Sequence, residues 1–254
     1  MPKSRVSQGF WYVLFGAMLW GTTGTAQVFA PDAANPLSIG AVRIAIGGSA
    51  LLISALLRGR FKFNNSWPKR EVILAALGMA AYQAFFFSAV SRTGVAIGTI
   101  VTIGSVPLLT GLLAALFLKE KPALRWYPAT ATAIIGCILL IVPSGDDRVN
   151  TVGVLFALIA GLSFSIYVLA GKYLLVKYPT DTVLAVVLPL GALFLSPVLF
   201  VYQPTWVLEW PGFMIALHLG LLATALAYTL FTAGLSLLPA STAVTVVLAE
   251  PLTA

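Results

Sequence analysis
Apolar runs of about 20 residues follow one another along almost the whole chain, and a bilayer core about 30 Å thick asks for that length, because a helix rises about 1.5 Å per residue. The runs cover approximately 10–29, 37–57, 71–91, 94–118, 123–142, 152–173, 181–201, 212–235 and 239 to the last residue. Nine membrane-spanning helices are predicted. The separators carry turn chemistry, as in "APDAANP" (30–36), "NNSWPKR" (64–70), "PSGDDRVNT" (143–151) and "YQPTWVLEWPG" (202–212). With 59% of 254 residues hydrophobic and 9% charged, little remains outside the runs, so no separate soluble domain is expected. The fold class that follows is an all-α polytopic membrane protein built as one bundle.

The first run stands behind a basic N-terminus, as in a signal peptide. Its apolar body is longer than that, lacks a convincing small-x-small cleavage site and is followed by many similar runs, so it is read as a retained first helix. The net charge of +7 would suit a nucleic-acid partner if it lined one soluble face, but the Lys and Arg residues lie between hydrophobic runs. They set topology instead. A cytoplasmic N-terminus puts Lys3, Arg5, Arg58, Arg60, Lys62, Lys69, Arg70, Lys119, Lys121, Arg125, Lys172 and Lys177 inside, with Arg92 and Arg148 outside and Arg43 within the second run. The lone cysteine, Cys137, excludes an internal disulfide and a cysteine metal cage, and a packing role is expected for it.

Sliding the chain by 144 residues lays 85–110 on 229–254, with Phe87 on Phe231, Ala89 on Ala233, Ala96 on Ala240, Pro107 on Pro251 and Leu108 on Leu252. Spans 1–5 (residues 1–142) thus pair with spans 6 onward (residues 152–254). Because five is odd, the second copy enters the membrane from the opposite side, which predicts an inverted repeat of the kind found in secondary transporters. The same offset carries the end of span 5 to about 32 residues past Ala254, so a completed ninth helix and a tenth are expected beyond the sequence given.

These features, with "LWG" in span 1, "GAVRIAIGG" in span 2, "LKEKP" after span 4 and "EPLTA" in span 9, resemble the drug/metabolite transporter superfamily in its EamA-type ten-helix branch, and within it YddG-type amino-acid exporters. The resemblance covers essentially the whole chain and rests on the order of the motifs. It implies outward transport, no cofactor, and a central cavity lined by spans 1, 3, 4, 6, 8 and 9. On those spans Trp20, Tyr82, Gln83, Phe86, Thr102, Ser163, Tyr167, Thr224, Tyr228 and Thr245 become candidate substrate contacts, by stacking and hydrogen bonding.

Residues near mid-membrane invite separate readings. Pro107 and Pro251 deprive the carbonyls of Ile103 and Val247 of their donors, which makes either a packing kink or a hinge beside a wet cavity. Glu250 is the deepest carboxylate: it either carries a proton or meets a substrate ammonium, or else it caps a kink or pairs with a cation. Arg43 lies within snorkelling reach of the outer interface, so it reads as an anchor or ion-pair partner, with Glu250 as one candidate partner. His218, the single histidine, reads as a hydrogen-bonded packing residue ahead of a proton relay.

The function expected is a secondary-active or facilitative carrier for small neutral or zwitterionic metabolites, amino acids above all, with the lipid bilayer and a small-molecule substrate as its partners. A sugar-phosphate or nucleotide-sugar carrier is the alternative, but a dianion calls for clustered cations and Arg43 stands alone at depth. An intramembrane enzyme has little to work with, since HExxH, GxSxG and Walker A patterns are all absent from the sequence.

Overall fold
A chain inside hydrocarbon must satisfy its backbone polar groups within itself, and helices do so segment by segment. The computed structural model describes residues 3–61, 67–120, 122, 124, 126–141 and 150–253. They form α1 (Lys3–Val28), α2 (Pro36–Leu57), α3 (Lys69–Leu113), α4 (Trp126–Ile141), α5 (Thr151–Leu174), α6 (Thr180–Tyr202), α7 (Trp210–Leu217), α8 (Ala227–Leu237) and α9 (Ala240–Val247). The helical stretches 36–57, 69–118, 151–174, 180–202 and 210–237 are long and apolar enough to cross a membrane. The connectors 62–66 and 142–149 and the side chain of Cys137 lie outside the described residues.

Local chemistry sets several boundaries. Asn35 accepts a hydrogen bond from the Leu37 amide at 2.9 Å while Pro36 takes the first helical position, where a missing N–H costs nothing. Asn150 caps α5 in the same way, accepting from the Gly153 amide at 2.9 Å. Within α3 the backbone breaks at Gly94 (φ 80°, ψ 163°), a conformation that a side chain would disfavour. There the chain turns back on itself. A Cβ at Gly98 would lie 3.0 Å from the Cα of Val90, although an unbroken helix would hold those residues about 12 Å apart. The runs at 71–91 and 94–118 are therefore the two arms of one hairpin.

Two stretches widen to π-helix, Ala114–Leu118 at the end of α3 and His218–Leu226 between α7 and α8. The last run differs from its expected form. Instead of a helix with Pro251 at its centre, α9 stops at Val247, and Glu250–Leu252 form a 3-10 turn. The ring of Pro251 would crowd the Val247 carbonyl, and the bonds from Leu248 to Thr245, Ala249 to Val246 and Leu252 to Ala249 tighten to the shorter pattern. Pro107, by contrast, stays inside the second arm of α3.

Packing uses small residues where helices meet. α3 packs mainly on α5, α2 on α6 and α1 on α8. At Gly47 of α2 the Gly220 carbonyl comes within 2.7 Å of where a Cβ would stand, and at Gly191 of α6 the Ala76 carbonyl comes within 3.3 Å. Large apolar side chains such as Phe200 (80% exposed) face outward, as suits a lipid surround. One end of the bundle gathers Arg60 and Asp181, paired at 2.7 Å, with Trp67 stacked on Tyr178 at 4.1 Å. At the far end Trp206 Nε1 donates to Ser38 Oγ at 3.0 Å.

Candidate functional site: an aromatic chamber among four helices
Helical spacing puts Tyr82 and Phe86 on one face of the first α3 arm, Phe164 and Tyr167 on one face of α5, and Tyr228 and Phe231 on one face of α8. Trp20 of α1 closes the ring. Its indole lies 4.9 Å from Tyr228, 5.2 Å from Phe231 and 5.8 Å from Phe164, centroid to centroid. Phe164 in turn meets Tyr82 at 5.0 Å and Tyr167 at 5.7 Å, and Tyr82 stacks on Phe86 at 5.5 Å. Phe164 and Phe231 were not among the residues expected from sequence. Their signal was there in the spacing, three residues from Tyr167 and Tyr228.

Polar atoms on α1 and α3 are left without partners. Among the described residues, Trp20 Nε1, Thr23 Oγ1, Gln27 Nε2, Thr102 Oγ1 and both amide atoms of Gln83 are buried and make no hydrogen bond. Each such atom costs about 1–3 kcal/mol unless something else meets it. Trp20, Thr23 and Gln27 fall on one stripe of α1.

Arg43 is 3% exposed and does not snorkel. Its Nε donates to Thr224 Oγ1 at 3.0 Å and its Nη2 to the Ala223 carbonyl at 2.7 Å, while Phe87 lies 6.0 Å beneath it. The π-helical stretch supplies this acceptor, because wider winding leaves carbonyls free and sends the Thr224 hydroxyl back to Leu219. Arg43 thus braces α2 to the π-helical stretch ahead of α8. No ion pair joins it to Glu250, although both lie within electrostatic reach of the Tyr82 and Tyr228 hydroxyls.

Glu250 is buried in its 3-10 turn, which rests on α1 beside Trp20. Thr253 Oγ1 donates to the Met18 carbonyl at 3.2 Å, and a Cβ at Gly21 would stand 2.6 Å from the Glu250 carbonyl, so the glycine of "LWG" is what lets the turn approach. His218 Nε2 shares a hydrogen bond with Thr22 Oγ1 at 2.9 Å. Ser163 Oγ donates within its own helix to Ile159, and Tyr167 meets Thr232 at 3.5 Å. Thr245 stands apart from the chamber, bonded to Trp126 Nε1 at 2.9 Å and Thr130 at 3.2 Å. A separate apolar groove of about 290 Å³ runs along α4 past Leu108, Tyr127 and Ile134.

The turn between α8 and α9 is held by charge. Lys172 Nζ of α5 donates to the carbonyls of Leu235 (2.7 Å) and Leu238 (2.6 Å), and Glu120 Oε2 accepts from the Ala240 amide (3.0 Å). A cation thus sits on the closing end of α8 and a carboxylate on the opening end of α9, each matching the local helix dipole. Leu238 and Ala240 are buried there, whereas Arg92 and Gly94 at the α3 turn are exposed.

The model of the EamA-like transporter family matches residues 7–142 and 151–254. An uncharacterized transporter of Bacillus subtilis, YwfM, is 45% identical over 96% of this chain and 82% of its own length. A probable terminal-alkyne amino-acid exporter of Streptantibioticus cattleyicolor is 26% identical over 77% of this chain and 65% of its own. A solved crystal structure at 20% identity superposes with a TM-score of 0.79 over 97% of this chain and 85% of that one, a likeness of fold.

Proposed function
The chain belongs to the EamA-like transporter family, and on that premise we propose that it exports small neutral or zwitterionic metabolites, amino acids including aromatic ones, by alternating access of two inverted five-helix halves. It is an integral membrane transporter and not an enzyme. The observation that carries the substrate reading is the aromatic cluster itself: rings from α1, α3, α5 and α8 packed on one another, with unpartnered polar atoms on α1 and α3, a chemistry that suits a flat or apolar body with a polar head. The Streptantibioticus relative, named a probable amino-acid exporter, and the likeness to YddG-type exporters point the same way. Phosphate esters suit it poorly. Arg43 lies over the Phe87 ring, and two of its nitrogens are already committed to the π-helical stretch 218–226.

Inverted halves, 1–142 and 152–254, are supported by paired close approaches. Gly47 meets Gly220 where Gly191 meets Ala76, and each residue lies 144 positions from its counterpart. A cytoplasmic N-terminus in the inner membrane is supported by the gathering of Arg60, Lys172 and the basic N-terminal arm at one end of the bundle, since Gly9 packs on Leu238 beside Lys172. Alternating access is supported by the unequal turns: one buried and held by Lys172 and Glu120, the other exposed at Arg92 and Gly94, with the Arg92 guanidinium over the Phe156 ring at 5.3 Å.

Proteoliposome flux tests the reading. Labelled phenylalanine and leucine are expected to cross, and sugar phosphates are not; the reverse result would refute the proposal. Phe164→Leu removes the ring shared by Trp20, Tyr82, Tyr167 and Phe231. An aromatic pair is worth about 0.5–1.5 kcal/mol beyond area, so the flux ratio of phenylalanine to leucine should fall roughly 2- to 10-fold.

A further inference from the structure
Gln83 is 1% exposed, and both its Oε1 and its Nε2 lack partners. An amide offers two donors and an acceptor with two lone pairs, so this is the most complete unmet hydrogen-bonding group among the described residues. Its neighbours in sequence, "AAYQAFFF", give it no local partner. Leucine of similar size would fold there at lower cost, so a purely structural account leaves the glutamine unexplained.

Its surroundings are specific. Tyr82 precedes it and Phe86 follows one turn later, both part of the aromatic chamber. The reversal at Gly94 brings the second arm of α3, with the unpartnered Thr102 hydroxyl, back alongside the arm that carries Gln83. Beyond Phe164 stands the indole N–H of Trp20, a donor without an acceptor. None of these three groups is charged. The Gln83 amide alone offers donors to an acceptor group and one strong acceptor to a donor group.

We propose that Gln83 is the specificity-determining residue of the site, its amide pairing with the carboxylate and ammonium of a zwitterionic amino-acid head group. This rests on the function proposed above. A ligand lacking either pole leaves one face of the amide unmet, and sites built to hydrogen-bond a missing group reject its absence strongly. A neutral amide can read both poles at once, which a lone charge cannot.

The test uses the full chain in proteoliposomes, with uptake of labelled phenylalanine competed by unlabelled phenylalanine, by phenethylamine and by phenylpyruvate. Wild type should prefer the amino acid by at least 10-fold over both analogues. Gln83→Leu should raise the melting temperature of the unliganded protein, raise the apparent KM at least 10-fold with the maximal rate largely kept, and flatten the preference. Gln83→Met, which keeps length without the amide, should do the same and guards against a Leu variant that fails to fold. Wild-type affinity and preference in both variants would overturn the assignment while leaving the transport reading intact. Absence of amino-acid flux in wild type would overturn the transport reading and this one with it.

Discussion
Lys172→Met is expected to loosen the pinned end of the carrier and make Ala240 reachable from water. Two charge-assisted hydrogen bonds, to Leu235 and Leu238, hold the turn closed. In water-soluble proteins each would be worth about 1.5–3 kcal/mol, but measured hydrogen bonds inside membranes average about 0.6 and reach about 1.7. The lower scale suits a side chain at a helix end that water can meet once the turn opens, and between that average and that maximum the pair is worth about 2 kcal/mol in total. That corresponds to roughly a 30-fold shift toward the open form. With Cys137 replaced by serine and Ala240 by cysteine, a membrane-impermeant maleimide should label the Lys172→Met protein about 30-fold faster. Glu120→Gln should change the rate much less, because the amide oxygen can still accept from Ala240, whereas Glu120→Ala should approach the lysine variant. Equal labelling rates in Lys172→Met and its parent would show that the contact is not a gate.

Much of the architecture could be read in advance because a bilayer forces a length on every helix, and a run of about 20 apolar residues between turn residues has few other ways to fold. The runs at 37–57, 152–173 and 181–201 differ from α2, α5 and α6 by one residue at each end or less. What stayed hidden depended on partners far away in sequence. Arg43 looked able to snorkel because depth alone suggested it, yet the π-helical stretch of a distant segment offered two acceptors and drew the guanidinium inward. No sequence signal marks that stretch.

The chamber was legible in part. Trp20, Tyr82, Phe86, Tyr167 and Tyr228 do meet, but Phe164 and Phe231 could not be told by composition from a lipid-facing Phe200; only their spacing from tyrosines on the same helix face separates them. Thr245 shows the reverse, since its hydroxyl serves the contact between α9 and α4. Lys172 read as topology and nothing more, because a cation at a membrane end satisfies that rule whether or not it also grips a turn, and Glu120 stood only within "LKEKP".

Gly47→Ala is expected to be among the most damaging single-methyl changes available in the bundle. The new Cβ would stand 2.5 Å from Thr224 Cγ2 and 2.7 Å from the Gly220 carbonyl. A threonine methyl can rotate away; a backbone oxygen in the opposing helix cannot, so α2 has to retreat. Retreat carries Arg43, one turn earlier on the same helix, away from Ala223 and Thr224. Overpacking costs about 1–3 kcal/mol and the strained brace about 1 more, against a helix-propensity gain of about 1 from replacing glycine. A net loss of about 1–3 kcal/mol is expected. Gly191→Ala should be milder, its closest neighbours being the Ala76 carbonyl and Ile44 Cδ1 at 3.3 Å. Gly104→Ala has nothing within 4 Å to meet and should be neutral or stabilising by up to about 1 kcal/mol. Thermal melts followed by size-exclusion chromatography in detergent should rank the three in that order. A Gly104 variant as unstable as the Gly47 one would mean that backbone freedom, and not close approach between α2 and the π-helical stretch, is what these glycines supply.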